Sequence, residues 1–243
     1  MIYRKKPGQV SYGEAIGILL LDSEAPFIPG DVANATTYKF PVRFQRVPGL
    51  TVQRILSHDL SALEDVLMAA RELKREGVRA ITSDCGFMAL YQAALRKELE
   101  LPVFLSSLLQ VPFLIHLIPD HHKIGILTVD SNALTPEVLD LCGANISERI
   151  AVQGLQQAPG FSSAFIEENG LLDFHQVEKE VTAAARQLVA DNPAVRLILL
   201  ECSVLPPYAP AVHQAVGLPV FDFVTMIRYV YSAVVREAGG RFL

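Results

Sequence analysis

The chain has 243 residues; 51% are hydrophobic, 19% are charged, and 21 Lys and Arg against 26 Asp and Glu leave a net charge of −5. This composition excludes a disordered chain, and the acidic balance argues against a surface built for nucleic-acid phosphates or anionic lipid. The 3 cysteines are too few for a disulfide scaffold at this length and point to a reducing, cytoplasmic compartment. In chain order, the polar, basic start (Arg4, Lys5, Lys6) is followed by no apolar run of the kind a secretory leader needs. Residues 16–21 are a continuous apolar run of strand length ending at Asp22. Residues 57–76 predict a helix: Leu60, Leu63, Val66, Leu67 and Leu73 recur at helical spacing, Ser57 or Asp59 can cap its start, and Gly77 can stop it. A strand at 80–82, a turn at 83–86, a helix to about Lys97 and a strand at 103–105 follow. Residues 123–129 and 196–200 read as later strands, and a short helix follows Pro136. Residues 173–191 read as a helix with Phe174, Val177, Val181, Leu188 and Val189 on one side. Residues 220–222 lead into a final helix reaching about Ala238. Strands alternating with helices predict an α/β fold with mostly parallel sheets covered on both faces, which binds ligands beyond the carboxyl ends of its strands. The uncharged stretches 101–119 and 202–221 are interrupted by prolines and read as buried core, with no membrane association.

An internal repeat organises these elements. Ile16-Gly17-Ile18-Leu19 recurs as Ile124-Gly125-Ile126-Leu127, an offset of 108 residues. Asp84-Cys85 recurs as Glu201-Cys202, Tyr91 as Tyr208, and the Leu-Pro-Val-Phe beginning at Leu101 as that beginning at Leu218, all at an offset of 117. Two similar α/β lobes related by a pseudo-two-fold follow, with the seam within 106–122.

The repeat puts Cys85 and Cys202 at equivalent strand ends facing a shared cleft. A helix N-terminus beyond each would lower its thiol pKa and offer N–H groups to a substrate carboxylate. Two such thiols on opposite sides of one carbon can remove a proton from one face and return it to the other. Asp84 and Glu201 would raise the thiol pKa if they pointed inward, so they are expected to point away or to cap backbone groups, with a role in relaying protons to the thiols as the less favoured alternative. Cys142, outside the repeat, reads as a small buried hydrophobe.

Thr82-Ser83-Asp84-Cys85-Gly86-Phe87, Leu105-Ser106-Ser107-Leu108-Leu109-Gln110 and Glu201-Cys202-Ser203-Val204-Leu205-Pro206-Pro207-Tyr208 resemble the aspartate/glutamate/hydantoin racemase superfamily, in particular its aspartate/glutamate racemase branch. The resemblance implies two pseudo-symmetric doubly wound lobes, 1–108 plus 223–243 and 109–222, with the active site in the cleft between them. It implies that the last helix packs back on the first lobe, that no cofactor is needed, and that Cys85 and Cys202 are the acid–base pair. Ser203 matches a residue that binds the substrate carboxylate, as does Thr128 at the end of its strand. Asn34 is a polar candidate at the cleft mouth, and Ser83 and Gly86, beside the first thiol, complete the substrate-binding set. Phe87 and Val204 stand where racemases usually carry polar residues, which favours a more apolar acid than glutamate.

His116, His121 and His122 fit a solvated turn better than a metal site, and Arg43 and Arg46 a surface strand better than a distal carboxylate site. Tyr91 and Tyr208 can line the cleft or pack beneath the strands. No nucleotide loop or Ser-His-Asp set appears. The expectation is a cofactor-independent racemase or epimerase of a small carboxylic acid, an amino acid such as aspartate or glutamate, with a homo-oligomer left open. Hydantoin racemisation, maleate isomerisation and arylmalonate decarboxylation are alternatives on the same scaffold, and a binding or sensing module without turnover is the rival.

Overall fold

The computed structural model describes residues 4–144 and 147–236. In the first parallel sheet, β1 (Ile16–Leu20) lies between β2 (Val42–Arg46) and β3 (Ala80–Ser83). In the second, β4 (Lys123–Thr128) lies between β5 (Ile150–Gly154) and β6 (Val195–Leu200), with β7 (Val220–Phe221) beyond β6. The repeat holds at the level of single hydrogen bonds. Asp84 N–H donates to Leu19 O at 3.0 Å, and Glu201 N–H donates to Leu127 O at 2.8 Å. Ile81 N–H donates to Pro102 O at 3.0 Å, and Ile198 N–H to Pro219 O at 2.8 Å. Val103 bridges to Ile81 where Val220 pairs with Ile198.

The strand expected at 103–105 is reduced to that bridge because a side chain takes over the ladder. Gln92 Nε2 donates to Val103 O and Gln92 Oε1 accepts from Leu105 N–H, both at 2.8 Å. The helix expected over 57–76 is broken. Thr51 caps α1 (Val52–Leu56), and His58, at φ 57°, ends that turn. Asp59 then caps a 3-10 turn at Leu60–Ala62 that runs into α2 (Leu63–Arg75), and Gly77, at φ 90°, stops it. A 3-10 turn at Gly86–Tyr91 precedes α3 (Gln92–Glu98). The seam contains α4 (Val111–Leu114), and α5 (Pro136–Leu141) and α6 (Pro159–Phe165) flank β5 in sequence. Asp173 caps α7 (Phe174–Asp191), accepting from Gln176 N–H at 3.0 Å. After α8 (Ala209–Val216), an Asp222–Thr225 capping box starts α9 (Phe223–Val234), which ends short of the expected Ala238; that residue lies outside the described residues.

The helices cover both faces of the sheets. On β1, Ile16 and Ile18 are buried against Phe223, Met226 and Ile227 of α9. On the opposite face, a Cβ at Gly17 would stand 2.9 Å from Leu73 of α2. This two-sided burial explains the unbroken apolar run that the sequence displays. Among the described residues, no helix is long and apolar enough to cross a membrane.

Candidate active site

The two cysteine loops begin where β3 and β6 end. Each turns back on its own backbone, Met88 N–H donating to Cys85 O at 3.1 Å and Leu205 N–H to Cys202 O at 3.2 Å. Side chains tie the loops to each other and to the 3-10 turn at Ser107–Gln110. Ser203 Oγ donates to Asp84 O, and Ser107 Oγ donates to Glu201 O at 3.0 Å. Cys85, Cys202, Asp84 and Ser203 meet at a cavity of about 50 Å³, whose other walls are mostly apolar: Leu21, Ala25, Phe27, Val52, Ile55, Leu56, Val129, Phe165 and Val204, with Ser23 at the rim. That space holds a few water molecules, so a larger ligand requires the walls to part. They are latched: Ser23 Oγ donates to Glu168 Oε1, Glu24 N–H donates to the same oxygen at 3.0 Å, and Glu168 sits at φ 54°.

Burial governs the electrostatics. It raises the Cys85 thiol pKa, with the Glu201 carboxyl and the Cys202 thiol adding to the rise. It also raises that of Cys202, where Glu201 again adds and the Val204 N–H opposes. The expected helix-end activation is therefore outweighed; the element after Cys85 is a 3-10 turn, and its Phe87 N–H offers only a partial offset. Burial lifts Asp84 to about 7, although Oδ1 accepts from Leu21 N–H at 3.0 Å. It lifts Glu201 to about 7 as well, against the Thr128 hydroxyl and Val129 N–H that favour its carboxylate. Leu21 and Val129 are repeat equivalents, so the acid before each cysteine faces the amide that ends the neighbouring central strand.

The set predicted from sequence divides. Cys85, Cys202 and Ser203 come together at the cavity. Thr128 is fully buried off the cavity lining and donates its hydroxyl to Glu201 Oε2 at 2.9 Å. Asn34 stands away from the cavity lining, its Nδ2 donating to Phe27 O and its Oδ1 accepting from Thr36 N–H, both at 2.9 Å. Ser83 is spent on the backbone, donating to Leu105 O, and Gly86 packs on Glu201. Asp84 caps a backbone group as expected, yet it also lines the cavity. Glu201 lies against the first cysteine's loop, where it was expected to point away.

Tyr91 and Tyr208 are buried and do not line the cavity: the Tyr91 hydroxyl donates to Asp59 O at 2.7 Å, and the Tyr208 ring stacks on Phe174 of α7. Arg43 pairs with Glu14 at 3.3 Å and Arg46 with Asp22 at 3.4 Å, both off the cavity. Cys142 is buried and its thiol is pushed up to about 12. Among the described residues, no cluster of His, Cys, Asp and Glu is arranged to hold a metal ion.

Sequence reading missed Asp31. Its side chain is buried with Oδ2 unpartnered, burial raises its pKa strongly, and its charge acts on Cys202. Nothing in its Pro29-Gly30-Asp31 setting separates it from an ordinary turn residue. Phe27 and Phe165 were also missed, because neither belongs to the repeat.

No family model matches the chain. A dimethylsulfoniopropionate lyase of Durusdinium sp. clade D is 35% identical over 215 residues, which span 86% of this chain and 71% of that protein. The chain belongs to the dimethylsulfoniopropionate lyase family. Dimethylsulfoniopropionate lyase 7 of Emiliania huxleyi is 32% identical over 231 residues, covering 90% of this chain and 67% of that one. The fold is that of the racemase-like proteins. Allantoin racemase from Pseudomonas fluorescens superposes with a TM-score of 0.63 at 15% identity, covering 91% of both chains. Glutamate racemase from Bacillus anthracis gives 0.57 at 13% identity, covering 90% of this chain and 82% of that one. At such identities the likeness is one of fold alone. The expectation of an amino-acid racemase, an isomerase, is overturned: the sequence relatives are lyases, and the racemase likeness lies in the scaffold.

Proposed function

We propose that this protein is a lyase that cleaves dimethylsulfoniopropionate, or a close β-sulfonio carboxylate, by β-elimination. The observation that carries the reading is the cavity's composition. Two thiols and the Asp84 carboxyl face it, and among the described residues no Lys, Arg or His lines it. Such a site disfavours a dianionic substrate and suits a zwitterion whose far end is a cation. The sulfonium would sit among the apolar walls, with Phe27 and Phe165 offering ring faces and Asp84 a compensating charge.

The reaction balances with one base. A thiolate removes a proton from C2, next to the carboxylate; the C–H electrons become the C2–C3 double bond. The C3–S bond breaks with its pair going to sulfur, leaving acrylate and neutral dimethyl sulfide. Cys202, the more exposed thiol, serves as base in this reading, with Cys85 across the cavity and Ser203 and the loop N–H groups beside the carboxylate. A dry site aids a step in which a cation disappears. Racemisation and elimination share the first proton removal, so one scaffold serves both, and the leaving group on C3 decides the outcome.

The test is headspace gas chromatography over purified protein and dimethylsulfoniopropionate. Dimethyl sulfide is expected from the wild type and at least 100-fold less from Cys202→Ser. 4-Methylpentanoate, the isostere that keeps the carboxylate and lacks the sulfonium charge, is expected to compete weakly. Absence of dimethyl sulfide from the wild type, or full activity in Cys202→Ser, would overturn the assignment.

A further inference from the structure

Glu201 lies outside the cavity lining and yet presses on the cysteine loops. Its side chain is fully buried. Oε2 is held by Thr128 Oγ1 at 2.9 Å, while Oε1 has no partner. A Cβ on Gly86 would stand 1.6 Å from that Oε1 and 2.5 Å from Cδ. Gly86 has no left-handed backbone, so glycine is required there by the close approach and not by conformation. The residue after the first cysteine is thus left without a side chain to admit a carboxyl from the loop of the second. An ionised carboxylate buried with one oxygen unpaired is costly unless it can take up a proton.

Building on the lyase reading, we infer that Glu201 is a positioning residue that shares one proton with the cysteine pair, accepting it when a thiolate forms. Carboxylate and thiolate in so dry a space exclude each other, so the group titrates as a unit. The charges acting on this unit come from several elements: Cys85 and Asp84 after β3, Cys202 after β6, Cys142 after α5, and Asp31 on the loop before β2. In the step, a cysteine S–H bond breaks and an O–H bond forms on Glu201. The thiolate then takes the C2 proton of the substrate, which restores the thiol as dimethyl sulfide and acrylate form. Glu201 releases its proton to solvent before the next turnover, which accounts for the one proton the elimination liberates.

The test is the pH dependence of iodoacetamide labelling of Cys85 and Cys202, resolved by mass spectrometry, beside the pH profile of kcat. Wild-type labelling should rise in two steps, because thiolate appears first with Glu201 protonated and again when both groups ionise. Glu201→Gln should show one step, and its kcat should fall at least tenfold with KM within twofold and recover toward alkaline pH. Thr128→Val removes the hydroxyl that favours the carboxylate, so its first labelling step should move to higher pH; this variant serves if Glu201→Gln fails to fold. Glu201→Asp should restore two steps in part. Identical single-step labelling in wild type and Glu201→Gln, or an unmoved first step in Thr128→Val, would overturn the inference. Labelling needs no substrate, so a protein that titrates in two steps yet releases no dimethyl sulfide would refute the lyase reading while leaving the shared proton standing.

Discussion

Gly86→Ala is the sharpest structural perturbation of the site. The added methyl would stand 1.6 Å from Glu201 Oε1, 2.5 Å from Cδ and 2.9 Å from the Glu201 carbonyl oxygen. Glu201 is fully buried and tied to Thr128, so it has no free space into which to swing. Overpacking of this kind costs about 1–3 kcal/mol, and breaking a buried hydrogen bond adds about 1–3 kcal/mol. A total near 4 kcal/mol lowers the melting temperature of a chain this size by about 8–16 °C. In a Glu201→Ala background only the carbonyl contact at 2.9 Å remains, so the same substitution should cost about 1 kcal/mol there. The assay is a double-mutant cycle in urea, with a coupling of about 2–3 kcal/mol expected. A Gly86→Ala cost under 1 kcal/mol in the wild type, or an equal cost in both backgrounds, would refute the packing argument.

Other expectations follow from the same geometry. Asp84 and Glu201 are lifted to about 7 from ordinary values of 3.8 and 4.5. The folded state therefore holds protons that the unfolded chain has released, and stability should fall as pH rises between about 4 and about 7. Glu201→Gln should flatten that slope, which urea midpoints at pH 5 and pH 7.5 would check; an unchanged slope contradicts it. Glu168→Ala should unlatch the rim, speeding hydrogen exchange of residues 21–27 by about tenfold in mass spectrometry, while unchanged exchange would show that the latch holds nothing. Asp222→Ala removes the acceptor of Thr225 N–H at 2.7 Å that starts α9, and should cost about 1 kcal/mol, or about 2–4 °C in melting temperature.

The repeat made much of the fold readable. Paired apolar runs at 16–21 and 123–129 became the central strands of two sheets, and equivalent cysteines reached one cavity. Patterns carried by other residues were less visible. β2 runs half-exposed through Arg43 and Gln45, so it lacks the apolar run that marks a buried strand. The Gln92 amide, which replaces a strand at 103–105, has no local signature. Thr128 lies at the expected strand end, yet its hydroxyl turns to Glu201, because a fully buried carboxyl needs hydrogen-bond partners within the protein. The reaction class was the least legible. Thiols at strand ends serve any proton removal beside a carboxylate, whereas Phe27 and Phe165, which line the rest of the cavity, and Asp31, which acts electrostatically on Cys202, lie outside the repeated motifs.

Elimination by the thiol pair is tested most directly by product isotope analysis with dimethylsulfoniopropionate carrying two deuterons on C2. Proton NMR of the reaction in ordinary water should show acrylate with a single deuteron at C2, matched mole for mole by dimethyl sulfide, and neither product from Cys202→Ser. Release of dimethyl sulfide with 3-hydroxypropionate that keeps both deuterons would mean displacement by water at C3, and would contradict proton removal by a cysteine.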